Sequence, residues 1–236
     1  MSKFSNRSAQ KELLDRDDIP FEDIKQNMKE LNFINTWLGG HAITLNGVQQ
    51  LIDANRVGDP QLIICEIGCG GGDNLTVIKQ WCTKNNINTH FIGIDINPHC
   101  IAFANEKKEN NGIEFICSDY SKVNFENKPH FIFSSLFCHH FNDEDLKKQF
   151  EWMKQNASIG FFVNDLQRNP LAYYSIKLLT QLFSKSYLVK NDAPLSVLRG
   201  FHKEELNSIL HQSNIQSFSL KWKWAFRWLL IYKHEQ

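Results

Sequence analysis

Glu66-Ile67-Gly68-Cys69-Gly70-Gly71-Gly72-Asp73 directly follows the apolar run Leu62-Ile63-Ile64-Cys65. Glycines just past the carboxyl end of a buried strand let the backbone approach a ligand closely and take positive φ, which is how a nucleotide-cofactor loop is built. A dinucleotide fingerprint would need glycines at 68, 70 and 73. Position 73 is Asp, so the glycine that permits close helix packing is missing. Glu66 instead puts a carboxylate two residues before the first glycine, which suits a cationic ligand better than a pyrophosphate. Asp95, 27 residues after Gly68, ends the next apolar stretch. A carboxylate there can accept hydrogen bonds from both hydroxyls of a ribose. Two more apolar stretches, at 113–117 and 131–137, run into Ser118-Asp119-Tyr120 and Cys138-His139-His140. As parallel strands, all four would deliver their polar ends to one edge of a sheet, where ligands of open α/β sheets bind.

The elements that must position these residues follow from periodicity. Helical segments near 73–86, 98–110 and 142–156 alternate with the strands, the last opening on Asn142 or Asp143 as N-cap. Such alternation predicts a parallel sheet with right-handed crossovers. A fifth strand at 159–163 brings Asn164 and Asp165 to the same edge. Residues 171–189 predict one apolar helix, carrying Tyr173, Tyr174 and Phe183, placed before a helix at 202–213 where substrate walls are expected. The tail, 215–232, sets Trp222, Trp224, Phe226 and Trp228 against Lys221, Lys223 and Arg227. Period-two alternation marks a half-buried strand more than a base-stacking surface. Its length exceeds one ordinary strand, so a hairpin turning near Trp224-Ala225-Phe226 is expected. Ahead of the sheet, residues 8–57 form a helical prefix broken at Ile19-Pro20 and Gly39-Gly40. Between the breaks Ile24, Met28, Leu31, Ile34 and Leu38 recur at helical spacing. This prefix is either a brace over an edge of the core or a lid over the site.

Composition excludes several classes. The 236 residues suit one α/β domain with an added cap. Lys plus Arg and Asp plus Glu both number 26, so the basic footprint of a nucleic-acid binder is absent. No apolar run approaches the ~18 residues of a membrane span, and residues 1–5 lack the apolar stretch of a signal peptide, which points to a cytoplasmic protein. The six cysteines, at 65, 69, 82, 100, 117 and 138, include no C-x-x-C pair and are expected to be reduced and buried.

In the order and spacing of these motifs the chain resembles the class I S-adenosylmethionine (SAM) dependent methyltransferases, over residues 58 to 233. The resemblance implies a doubly wound, Rossmann-like, mostly parallel seven-stranded α/β sheet with an antiparallel C-terminal strand. It further implies a helical cap at 1–57 and a catalytic domain at 58–236 with a helical insertion near 170–200. SAM would be the cofactor, wrapped at its amino-acid end by Glu66, Gly68, Cys69 and Gly70, held at the ribose by Asp95 beside Ile96, and flanked at the adenine by Asp119 and Tyr120, with Ser135 also in the cofactor site. Ile34-Asn35-Thr36-Trp37-Leu38-Gly39-Gly40-His41, 135–140 and 163–168 are similar to bacterial small-molecule methyltransferases of the ubiquinone and menaquinone type, some of which accompany polyketide synthases.

Displacement of a methyl group from a sulfonium needs alignment and, for some acceptors, removal of a proton. It requires neither a metal nor a nucleophile from the chain. His140 and His139 are the base candidates, because imidazole titrates near neutral pH; a structural role for either is the alternative. Trp37, His41, Asn164, Asp165 and Arg168 are candidate acceptor contacts, and Arg168 or Arg199 could pair an acidic substrate group. No Asn-Pro-Pro-Tyr or Asp-Pro-Pro-Tyr follows the fourth strand, which by resemblance disfavours a nucleobase acceptor. The leading expectation is transfer to a hydroxyl of a small aromatic or polyketide-like molecule by a monomer or homodimer. Carbon methylation of a quinone precursor, a nicotinamide-dependent oxidoreductase and a non-catalytic SAM-binding protein are the alternatives.

Overall fold

A computed structural model describes residues 2–16, 18–52 and 61–235. The boundary expected between residues 57 and 58 lies outside the described residues. Seven strands form one sheet in the order β3-β2-β1-β4-β5-β7-β6. β1 (Leu62–Ile67), β2 (Thr89–Asp95), β3 (Ile113–Cys117), β4 (Phe131–Ser135) and β5 (Gly160–Leu166) run parallel, and β7 (Arg227–Lys233) joins β5 antiparallel. β6 (Ser219–Lys223) pairs with β7 across a turn at 224–226, where the alternation placed it. The strand order reverses between β1 and β4, and this switch point is where a doubly wound sheet leaves a crevice.

Strand residues alternate between the two faces. Leu62, Ile64, Phe131 and Phe133 pack with Val48, Leu75 and Ile78 of α2 (Gly40–Leu51) and α3 (Asp73–Lys84). Cys65, Ile67, Ile132 and Phe161 pack with Phe150 and Ile209 of α5 (Asp143–Asn156) and α8 (Lys203–Gln212). Asn142 caps α5 by accepting a hydrogen bond from the Asp145 amide. The crossover α4 (Pro98–Glu106) is shorter than the periodicity implied and ends in a single 3-10 turn, Lys108–Asn110.

Two differences matter for the site. The apolar helix expected over 171–189 is two helices, α6 (Pro170–Phe183) and α7 (Tyr187–Arg199). The break falls at Ser184-Lys185-Ser186, where the Ser186 side chain accepts from the Val189 amide as a new N-cap and Glu30 accepts from the amides of Lys185 and Ser186. A local capping group won over continuous apolar periodicity. The tail differs too: β7 is covered on both faces, and Arg227, which alternation placed among the outward cations, is buried.

The prefix lies over the crevice. α1 (Phe21–Trp37) buries Ile24 and Met28 with Cys100 of α4 and Leu188 of α7. Residues 2–16 form a strap across the same edge. Arg7 donates to the Phe141 carbonyl at 2.7 Å, and the Leu13 and Leu14 amides donate to Asp192 at 2.8 and 3.0 Å. Among the described residues no helix is long and apolar enough to cross a membrane. The six cysteines are unpaired, with Cys117 exposed and the other five buried.

Candidate active site

The glycine loop owes its shape to β2. The Gly68 and Cys69 amides donate to the Ile94 carbonyl at 2.8 and 3.1 Å, and the Gly70 amide donates to Asp95 Oδ2 at 2.9 Å. Gly68 has φ +67°, and a Cβ there would lie 2.2 Å from the Phe137 ring, so both the backbone region and the space admit only glycine. Asp95 Oδ1 accepts from the Asn97 amide at 2.9 Å. Each oxygen of Asp95 therefore holds one backbone donor and keeps a lone pair for a ligand. Burial raises its carboxyl above the usual range despite these bonds.

Glu66 is 1% exposed. Its Oε1 accepts from Asn74 Nδ2 at 2.8 Å, while Oε2 has no partner. Burial pushes this carboxyl well above the carboxylate range. A buried carboxyl with one orphan oxygen is costly, and a cationic ligand donor would relieve it. Asn74 is in turn held by His41, whose Nδ1 lies 2.7 Å from Asn74 Oδ1 and whose Nε2 lies 2.8 Å from Asn32 Oδ1. Burial lowers the His41 pKa, and the ring connects the prefix to the loop.

These groups line one cavity of about 1440 Å³ along the carboxyl edge of the sheet. Glu66, Gly68, Cys69, Gly70, Asp95 and Ile96 lie at one part of it, and Asp119, Tyr120, Ser135, His41, His139 and His140 line it as well. Asp119 Oδ1 also caps its own turn by accepting from the Ser121 amide. Tyr120 packs edge-on against Trp152, ring centroids 5.0 Å apart. Met28, Leu31, Ile34 and Leu38 of the prefix form an apolar part of the wall, as do Leu171 and Leu179 of α6.

The His-His pair is asymmetric. His139 is 3% exposed, with Nδ1 2.7 Å from Asp165 Oδ1 and Nε2 3.4 Å from Glu12 Oε1. Although burial opposes the charge, the two carboxylates raise its pKa to about 9. The carboxylates on both sides favour the imidazolium of His139, and His140 is the more open of the two expected base candidates. His140 Nδ1 lies 3.2 Å from Asp15 Oδ1 and its Nε2 3.8 Å from Glu12 Oε2. Arg199 fixes the turn that carries both, its Nε and Nη2 donating to the carbonyls of His139 and His140 at 3.0 and 2.6 Å. Ligating atoms of Glu12, His139 and His140 lie within 4.8 Å of one another. The imidazolium and Arg199, 4.0 Å from Glu12 Oε1, already supply positive charge there.

Four expected acceptor contacts are elsewhere. Trp37 is exposed and packs on Phe33. Asn164 is buried behind Ser135, donating to Thr44 Oγ1 at 2.9 Å and to the Gly40 carbonyl at 3.1 Å. Asp165 is buried under His139. Arg168 is 1% exposed and spent on structure, bonding the Phe4 and Gly200 carbonyls at 2.9 and 2.6 Å and Glu205 at 2.6 Å. None of the four lines the cavity. Glu12, Asp15 and Asn74, which do line it, carried no sequence signal beyond residue type. Only the strap's path and the first turn of α3 bring them there.

Residues 64–160 match a family described as a methyltransferase domain. No curated protein matches the sequence. Among solved structures, magnesium protoporphyrin IX methyltransferase from Synechocystis PCC 6803 with bound SAM is 14% identical, over 84% of this chain and 80% of that one, with TM-score 0.54. The plantazolicin methyltransferase BpumL in complex with S-adenosylhomocysteine (SAH) is 20% identical, over 85% and 72%, with TM-score 0.59. Human N-acetylserotonin methyltransferase in complex with SAM is 16% identical, over 92% and 57%, with TM-score 0.62. At these identities the likeness is one of fold.

Proposed function

We propose, from the match of residues 64–160 to a methyltransferase domain, that this protein is a SAM-dependent methyltransferase of small molecules and that its acceptor is a hydroxyl on a largely apolar compound. The observation that carries the reading is the pairing of a buried carboxyl with an orphan oxygen, Glu66, beside a glycine loop tied to Asp95. Glu66 Oε2 suits the ammonium of the methionine end, and the free lone pairs of Asp95 suit the ribose hydroxyls. When bound, SAM would supply an activated methyl group on a sulfonium.

The chain's own residues then do two things. The loop and the prefix orient donor and acceptor in the cavity. His140 accepts the acceptor's proton: Asp15, closer to Nδ1 than Glu12 is to Nε2, favours the tautomer with its proton on Nδ1 and leaves Nε2 as the basic atom. A phenol with a pKa near 10, as for Tyr, is protonated at neutral pH and needs such a base, whereas a carbon nucleophile in an electron-rich ring needs it less. The apolar wall continues outward onto α6, where Leu171, Tyr174, Leu178, Leu182 and Phe183 are exposed. That continuity favours an aromatic or alkyl-bearing acceptor of the polyketide kind.

Calorimetry with SAH and NAD, followed by mass spectrometry of metabolites that gain one methyl on expression, tests the reading. SAH binding together with a methylated product is expected. Preference for NAD, or no binding of SAH, would reject it, and SAH binding without any methylated product would leave a SAM-binding protein without turnover.

A further inference from the structure

Arg227 opens β7 opposite Leu166, at the carboxyl end of β5, and is 3% exposed. Its Nη2 donates to Asn35 Oδ1 at 3.0 Å, and its Nε and Nη1 have no partner. Among the described residues it forms no ion pair with any carboxylate. It lines the same cavity as Glu66, Asp95 and His140. Gly40, where the two prefix helices meet, gives it room: a Cβ there would lie 3.1 Å from the Arg227 guanidinium carbon and 1.7 Å from Asn35 Oδ1.

A buried guanidinium with no carboxylate at ion-pair distance is expensive, because desolvation of the charge is offset only by a single neutral hydrogen bond and the more distant charge of Asp165. Burial lowers its pKa to about 10, so it keeps its charge at neutral pH. The other buried cations behave differently: Arg168 pairs with Glu205, and Arg199 sits between carbonyls and Glu12. Arg227 and the orphan carboxyl are each held by an asparagine beside the His41 ring, Asn74 bonding Glu66 and Asn35 bonding Arg227. The cavity is thus lined by one acid and one cation that each keep polar atoms without a hydrogen-bond partner.

We propose that Arg227 is the anchor for a carboxylate bound in this cavity. The inference rests on the reading of the cavity as the site of methyl transfer. Guanidinium is suited to the task because it presents paired N–H groups to the two oxygens of a carboxylate. Two sources share that chemistry, the amino-acid end of the cofactor and an acidic group on the acceptor.

Arg227→Met, an apolar change of similar length, separates them. Calorimetry would compare wild type and variant with SAH, with its decarboxylated analogue, which keeps the ammonium, and with 4-hydroxybenzoate added to the SAH complex. If the cofactor's carboxylate is the ligand, the variant loses at least tenfold in SAH affinity and nothing toward the decarboxylated analogue. If the acceptor's is, SAH affinity is unchanged and 4-hydroxybenzoate binding is lost. In either case the ligand-free variant melts at or above the wild-type temperature, because a buried unpaired charge has been removed. A variant that binds SAH as the wild type does and loses no 4-hydroxybenzoate binding overturns the proposal. Failure of the wild type to bind SAH would instead overturn the methyl-transfer reading beneath it.

Discussion

At the scale of single residues the site is marked by polar groups left half satisfied where the cavity runs. Asp95 is a graded case, with one backbone donor on each oxygen and a raised carboxyl pKa. Its replacement by alanine removes two charge-assisted hydrogen bonds to a ribose, each worth roughly 1.5–3 kcal/mol. Calorimetry on Asp95→Ala should therefore show SAH affinity reduced at least tenfold; unchanged affinity would move the ribose elsewhere. His140→Ala should lower single-turnover rate by about 10²–10⁴ with SAH affinity nearly intact. A near-normal rate in that variant would leave alignment alone as the source of catalysis. His139 is held between Asp165 and Glu12. Its substitution should show first in stability, and in rate only through the turn it shares with His140.

At the scale of elements the question is whether the prefix opens. α1 places Met28, Leu31, Ile34 and Leu38 on the cavity and joins α2 through Gly39, which has φ +74°. The same helix carries Asn32 and Asn35, whose side chains reach the His41 ring that supports Glu66. Ligand contacts at Glu66 would thereby tighten α1 through the Asn74–His41 link, as closure over a donor requires. Amide hydrogen exchange in residues 20–41 is expected to slow when SAH binds, with α5, on the far face of the sheet, unchanged. Equal protection with and without ligand would identify the prefix as a fixed brace. The strap at 2–16 is tied through Arg7, Leu13 and Leu14 and is expected to exchange alike in both states.

At the scale of the whole molecule the buried ion network sets a pH window for stability. The folded-state pKa of His139 is about 9, above its ordinary 6.5, so its stabilisation is complete below about 6.5 and is lost as pH rises through 9. Glu12 and Asp165 lie below their ordinary values, and their contribution is lost in the opposite direction, as pH falls through the carboxylate range. Denaturant unfolding should give a plateau that ends near pH 6.5 and a decline between about pH 6.5 and 9. His139→Gln should lower stability at pH 7 by about 3–5 kcal/mol, since it removes the cation that two buried carboxylates share, and should flatten the alkaline decline. A decline that persists unchanged in this variant would place its origin elsewhere.

The sequence alone determined what local pattern can specify. Five strand positions, the capped α5, the hairpin turn at 224–226 and the order of the polar strand ends all follow from side-chain period and capping, which act over a few residues. So did the glycine loop with Glu66 and Asp95, because the strand that carries each also decides where its end points. Contacts between segments remote in sequence were decided only by the tertiary structure. Glu12 and Asp15 reach His139 and His140 because the strap crosses the sheet edge, and no spacing encodes that path. Arg168 and Asp165 were read as site residues from their place at a strand end, yet neighbouring carbonyls and His139 consume them. Arg227 was read as an outward cation because period two assumes one wet face. The prefix helices cover that face, and burial, a property of the assembled layers, turned a surface charge into the unpaired cation of the cavity.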